Sequence, residues 1–268
     1  MLVLKIITIN ILSDLSRWSQ RRELIARGLK ELNPDVVALQ EVRLPQNPAN
    51  WLADQLGFEH IFLSHATRST PPEEGIALIS RIPFGETGTL DLRSQGRVAQ
   101  SVLLEISGIS IVIANGHYFW QPGDSEARLE QVKILLNWLE AMPGNPYLVA
   151  CGDFNGTPDS RAIRRMRERF QSAYMTVHGR EPEYTTPTPL PRSFFSMLRT
   201  AIGFSKYLLT KDFSLRWFGT LDYIFVDPGL NVRDSQVVLN QPDPNEPRIY
   251  PSDHFGIYAE IGIPEEDR

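Results

Sequence analysis

Apolar residues come in short, dense runs along this chain, each closed by a turn former or a polar group. The stretches 2–9 (LVLKIITI), 36–40 (VVALQ), 76–80 (IALIS), 98–106 (VAQSVLLEI), 109–114 (ISIVIA), 147–151 (YLVAC), 221–226 (LDYIFV) and 255–261 (FGIYAEI) are rich in Val, Ile and aromatic residues and bounded by Gly, Pro, Asn or Asp, which predicts β-strands. Two segments repeat apolar residues at helical spacing instead. In 21–32 the residues Leu24, Ile25, Leu29 and Leu32 share a face, and in 125–142 Leu129, Val132, Leu135, Leu136 and Leu139 do. Ser125 or Asp124 is the expected cap of the second helix, and PGNP at 143–146 its stop. The runs 98–106 and 109–114 meet at Gly108, which predicts a hairpin. Hairpins mixed with helical crossovers predict an α/β fold whose sheets run in mixed directions with helices outside.

The chain of 268 residues is read as one domain, 1–268, because neither an internal repeat nor a Gly/Ser linker divides it. Pro-rich PTPLPR and the segment after it break the strand rhythm, so about 178–219 is read as an insertion within that domain. No apolar stretch reaches membrane-span length and the start lacks a cleavage-site pattern, so the expected location is cytoplasmic. The single Cys151 excludes an internal disulfide, and its place at the end of an apolar run makes it a small buried residue rather than a nucleophile.

Charge changes the picture locally. The net charge is −5, yet 161–170 (RAIRRMRERF) and 188–218 together carry +8, leaving −13 on the remainder. Such basic segments meet a polyanion or an anionic membrane surface, or are two solvated faces balancing an acidic body. Nothing in the pattern calls for an obligate protein partner.

The candidate chemistry stands where the apolar runs end. Asn10 closes the first, Gln40 and Glu41 the second, Asn115 and His117 the fifth; Asp153 and Asn155 follow YLVAC, Asp222 lies in LDYIFV, and Asp253 and His254 precede the last run. Buried singly, such groups are costly, and each alone reads as a turn former or surface residue. Repeated at one kind of place, they point to a shared edge. Carboxylates and amides without thiolates suit a hard cation, Mg²⁺ or Mn²⁺, which also explains how clustered acids stay ionised. The histidines add groups that titrate near neutrality.

The ordered set TIN (8–10), LQEVR (39–43), GIALISR (75–81), ANGH (114–117), GDFNGTP (152–158), LDYIFV (221–226) and SDHFG (252–256) resembles the endonuclease/exonuclease/phosphatase superfamily, from residue 8 to about 262. The resemblance implies a deoxyribonuclease I-like four-layer α/β/β/α sandwich of two mixed sheets with its site at one end. It implies that Glu41 is the principal metal carboxylate with Asn10 beside the ion, and that Asp253 lies at or near a metal. Asp153 and Asn155 match the pair that handles attacking water and scissile phosphate, His117 the phosphate-contacting histidine, and Asp222 the acid that orients His254, a general base or phosphate contact. Arg97 is a candidate phosphate contact or a surface arginine; Tyr118 and Trp120 are candidate stacking groups or a packing corner. One departure is Leu12, which stands where apurinic-site endonucleases commonly carry an acid and leaves a second metal position open.

Three classes of function follow. The first is a metal-dependent nuclease, with the Arg-rich 161–170 as a phosphate-tracking face. The second is a lipid or small-molecule phosphoesterase, with the amphipathic, basic 190–218 at a membrane. A noncatalytic binding module is third. The preferred reading is a Mg²⁺-dependent phosphodiesterase, with nuclease placed ahead of lipid hydrolysis.

Overall fold

The computed structural model describes residues 2–44, 46–67, 73–121, 123–190, 202 and 219–264. In chain order the elements begin β1 (Val3–Asn10), α1 (Trp18–Leu32), β2 (Val36–Arg43), α2 (Pro48–Leu56), β3 (His60–His65), β4 (Glu74–Ser80), β5 (Thr87–Asp91), β6 (Val98–Ile106) and β7 (Ile109–His117). There follow α3 (Glu126–Glu140), β8 (Tyr147–Asp153), α4 (Arg161–Arg167), β9 (Gln171–Ser172), α5 (Ala173–His178), β10 (Asp222–Val226), β11 (Asn231–Val238) and β12 (Gly256–Gly262). They form two six-stranded sheets, ordered β11-β12-β1-β2-β4-β3 and β5-β6-β7-β8-β10-β9.

Both sheets follow one plan. Among the described residues only β1–β2 and β7–β8 pair in parallel, and α1 and α3 make the crossovers that parallel pairing requires. The other neighbours are antiparallel, including the expected β6–β7 hairpin, whose Ser107 and Gly108 take positive φ of 51° and 82°.

Packing explains the continuous apolar runs. Ile6, Ala38, Ile113 and Val149 face the space between the sheets, while Ile7, Ile9 and Val37 face α1 and α2, and Val112, Leu148 and Ala150 face α3 and α4. Central strands are therefore buried on both faces, each buried aliphatic side chain contributing about 1.5–3 kcal/mol. The layers are α/β/β/α, as the resemblance implied.

The structure adds what the pattern did not predict. Strands β3, β5, β9 and β11 were not expected, nor were α4, α5 and α2, the last of which Asn47 caps by accepting from the Asn50 N–H. Ser125 occupies the cap position of α3 but makes no side-chain cap bond, and the Asp124 carboxylate instead accepts from the Arg161 N–H at 2.9 Å. Most of the expected insertion, including the amphipathic basic stretch, lies outside the described residues. Its first part is not an appendage: Thr186 and Gly219 form a bridge, and Thr220 Oγ1 donates to the Pro182 carbonyl at 2.5 Å. Among the described residues no helix is long and apolar enough to cross a membrane.

Candidate active site

Strand direction brings the polar ends together. β1, β2, β7 and β8 finish at one end of the sandwich, where β10 begins and the turn into β12 enters. Register does the rest: Asp153 lies opposite His117 on one side and Asp222 on the other. Backbone approach here excludes side chains, since a Cβ on Gly152 (φ 134°) would come within 2.0 Å of the Gly116 carbonyl. Glu41 reaches the same edge because β2 breaks register between Leu39 and Val42, with Glu41 at φ 57°.

Asp153 is the hub. Its Oδ2 accepts from Asn10 Nδ2 at 3.0 Å and lies 3.5 Å from His117 Nε2 and 4.0 Å from His254 Nε2. Its Oδ1 accepts from the Asn155 N–H at 2.9 Å. Asn10 also donates to Glu41 Oε1 at 3.1 Å, and the Ser13 N–H donates to Glu41 Oε2 at 2.8 Å. Glu41 is half-buried, whereas Asp153 and Asp222 are buried.

The two histidines are held in different states. Arg97 Nη1 lies 2.6 Å from His117 Nδ1, and a guanidinium has no acceptor, so Nδ1 accepts and the ring proton sits on Nε2. Burial, then Arg97, bring the His117 pKa down to about 4, against the pull of Asp153 and Glu41. His254 Nδ1 donates instead to Asp222 Oδ2 at 2.9 Å. Burial would lower its pKa, but Asp222, Asp153 and Asp253 outweigh that and lift it to about 10. His117 is thus a neutral N–H donor and His254 an imidazolium.

The carboxylates follow suit. Burial would raise Glu41, yet His117, the Ser13 N–H, the Asn10 amide and Arg97 hold it at about 2. Because His117 is neutral at pH 7, the two hydrogen bonds and Arg97 are what keep Glu41 ionised there. Asp153 goes the other way, raised first by burial and then by Asp222, against the opposing pull of the histidines.

This donor set fits a hard divalent cation. Oxygen donors dominate: the ionised Glu41 carboxylate stands with Asn10 against it, and Asp153 and Asp222 lie close by, Asp222 Oδ1 buried without a hydrogen-bond partner among the described residues; His254 lies within 4.8 Å of these two but, while protonated on both nitrogens, has no lone pair to give. The half-buried Glu41, with Asn10 against it, is the more open carboxylate.

Other expected residues are placed less directly. Asp253 is buried, with its Oδ1 3.4 Å from Ser252 Oγ, and lies outside the Asp153–Asp222–His254 group. Asn155 (φ 50°) uses Nδ2 on the Tyr118 carbonyl at 3.1 Å. Tyr118 belongs to the core, stacked on Phe154 with centroids 4.4 Å apart and only 1% exposed, so it has no face for a substrate. Trp120 is half-buried on the rim, its N–H donating to Gln95 Oε1 at 3.1 Å. Gln40 and Asn115 point between the sheets, where Gln40 Nε2 donates to Asn115 Oδ1 at 2.7 Å.

Four of the five arginines of 161–170 are engaged by carboxylates, and Arg164 is exposed. Arg161 pairs with Asp124 and Glu126, Arg165 with Glu168, Arg167 with Glu181 and Arg169 with Asp227. Sequence counting saw the cations but not the carboxylates that folding sets beside them. Thr185 was also unforeseen: its Oγ1 donates to Asp222 Oδ2 at 2.5 Å and fixes the acid that orients His254. A threonine in a Pro-rich stretch carries no signal of that role.

Together the layers and the polar cluster at their end define a deoxyribonuclease I-like sandwich protein. A model of the Endonuclease/Exonuclease/phosphatase family matches residues 7–254, and the chain belongs to that family. It is 28% identical over 172 residues to Carbon catabolite repressor protein 4 homolog 4 of Arabidopsis thaliana, covering 58% of this chain and 38% of the relative. It is 23% identical over 302 residues to the CCR4-Not complex 3'-5'-exoribonuclease subunit of Candida albicans, covering 92% of this chain and 38% of that protein. The chain thus spans about two fifths of the length of these relatives. The human Nocturnin catalytic domain with bound sulfate anion superposes with a TM-score of 0.75 at 23% identity, covering 97% of this chain and 94% of that one.

Proposed function

We propose that the protein is a divalent-metal-dependent phosphodiester hydrolase that cleaves nucleic-acid strands. The observation that carries this is the Asp153 carboxylate, on which Asn10, His117 and His254 converge from both sheets. The relative named as an exoribonuclease subunit favours a nucleic acid over a lipid, and the membrane reading rests mostly on residues outside those described.

Glu41 with Asn10 would hold the Mg²⁺ or Mn²⁺, with Asp253 nearby. The cation supplies positive charge to phosphoryl oxygens as negative charge builds on them. His117 offers its Nε2–H as a hydrogen-bond donor to the same oxygens without a net charge to shed. Asp153, raised above an ordinary carboxylate, is the better-matched base for water at neutral pH. His254, charged and steadied by Asp222 and Thr185, contacts phosphate and supplies a proton on the leaving side. Asn155 is locked by its two bonds beside Asp153, in position to orient the phosphate.

Glu41→Gln keeps the shape and removes the charge. It should raise the Mg²⁺ concentration for half-maximal hydrolysis of a single-stranded oligonucleotide by roughly tenfold or more. An unchanged metal titration would remove Glu41 from the ligand set.

A further inference from the structure

Each of the two crossover helices buries an arginine whose guanidinium serves the loop that leads into that helix. Arg21, the fourth residue of α1, is fully buried. Its Nη1 donates to the carbonyls of Ile11 at 2.8 Å and Pro251 at 3.2 Å, and its Nη2 to those of Leu12 at 3.3 Å and Asp14 at 2.6 Å. Arg128, the third residue of α3, is 1% exposed. Its Nε donates to the Phe119 carbonyl at 3.0 Å, its Nη1 to that of Gly123 at 2.7 Å, and its Nη2 to that of Gln121. The two sites are equivalent in the repeated plan of the sheets, one after β1 and the other after β7.

The two loops serve different parts of the cluster. In the first, the Leu12 N–H fixes Asn10 Oδ1 at 3.0 Å and the Ser13 N–H fixes Glu41 Oε2. Pro251, also held by Arg21, precedes Ser252, whose Oγ donates to the Asn10 carbonyl at 2.6 Å. In the second, the Tyr118 carbonyl anchors Asn155 and the Tyr118 N–H donates to the Asp153 carbonyl at 3.0 Å. The Arg128 stem also lies under the turn after Asn155, since a Cβ on Gly156 would stand 3.2 Å from Arg128 Cδ. Burying a guanidinium is costly, and only its fork of five donors satisfies several carbonyls at once; a lysine reaches fewer.

We propose that Arg21 and Arg128 are paired positioning residues with divided duties. Arg21 holds the loop that aims Glu41 and Asn10 at the cation, and Arg128 holds the loop that aims Asp153 and Asn155 at water and phosphate. The cation and phosphate assignments rest on the hydrolase reading above.

The test uses Arg21→Lys, Arg21→Met, Arg128→Lys and Arg128→Met in the full chain. Mn²⁺ binding by calorimetry, steady-state hydrolysis of a single-stranded oligonucleotide and amide hydrogen exchange are read on each. Arg21→Lys should weaken Mn²⁺ binding roughly tenfold, while Arg128→Lys should leave it within about twofold and lower kcat roughly tenfold at saturating metal. Each should speed exchange in its own loop alone. Folded variants that lose thermal stability but keep Mn²⁺ affinity, kcat and loop exchange would overturn the proposal, as would variants of both arginines that shift the same quantity equally. If no variant folds, the wild type decides: the amides of Leu12, Ser13, Tyr118 and Phe119 should be protected, and exchange at the rate of the 143–146 turn would overturn it. A wild type that binds Mn²⁺ but cleaves no oligonucleotide refutes the hydrolase reading, and metal affinity and exchange still decide the loop roles.

Discussion

Asp153→Asn is expected to lower kcat by roughly 10³- to 10⁴-fold. Activity falls because the amide cannot serve as a base, and because an N–H now faces Asn10 Nδ2 or His117 Nε2, where an acceptor stood. The same carboxyl gives the metal-free protein a pH-dependent stability. The Asp153 pKa is raised in the folded protein, so the neutral form is the one folding favours. Its ionised form therefore carries a penalty that is absent below the ordinary carboxylate range and grows as pH rises through the raised folded value. Asparagine removes that pH dependence but sets a buried amide N–H against a donor. Thermal unfolding in chelator and turnover in Mg²⁺ measure the two effects; near-normal turnover in the folded variant would dismiss Asp153 as the hub.

The second large effect belongs to the His254–Asp222 pair. Asp222→Asn should lower kcat by roughly 10²-fold or more, since it withdraws the charge that steadies the imidazolium and fixes its ring. Burial acts to lower the His254 pKa and Asp222 is the foremost group opposing it, so the variant's imidazole should titrate well below about 10. A raised histidine pKa stabilises the fold fully below the unfolded value and loses that contribution as pH rises through the folded one. The stability lost by the wild type toward pH 10 should therefore be lost at lower pH in the variant. Proton NMR of the His254 ring follows this directly, and an unmoved titration would break the link to Asp222.

The legible and illegible parts of the fold divide along a physical line. Every strand expected from the sequence lies inside a sheet, where both faces are buried and apolar residues run without a break, as in ISIVIA. The unexpected β3, β5, β9 and β11 are the four sheet edges. Edge strands keep polar and exposed positions and so lack the long unbroken apolar run; β5 alternates in exposure, but its inward side offers only Gly88 and Leu90. Their pairing is set by the neighbouring strand rather than by their own composition.

The site divides in the same way. Residues that close interior apolar runs, such as Asn10, Glu41, His117 and Asp153, were readable because a polar group there is anomalous. Tyr118 stayed open between a stacking group and a packing corner, because an aromatic beside such a residue looks the same whether it faces solvent or Phe154; folding makes it the packing corner. Arg21 and Arg128 left no signal, since an arginine in the first turn of an amphipathic helix is ordinary and only the loop folded over it shows the side chain to be buried. Thr185 depends on a contact across 37 positions of the chain.

The central claim is that the Asp153 cluster is a metal-dependent phosphodiesterase site acting on nucleic-acid strands. Hydrolysis of single-stranded RNA and DNA, phospholipid vesicles and soluble inositol phosphates should be compared side by side, in Mg²⁺ and in chelator, with Asp153→Asn as the control. Release from a nucleic-acid strand that chelator and Asp153→Asn both abolish is the predicted result. Release that survives chelation, or release from vesicles or inositol phosphates alone, would contradict it.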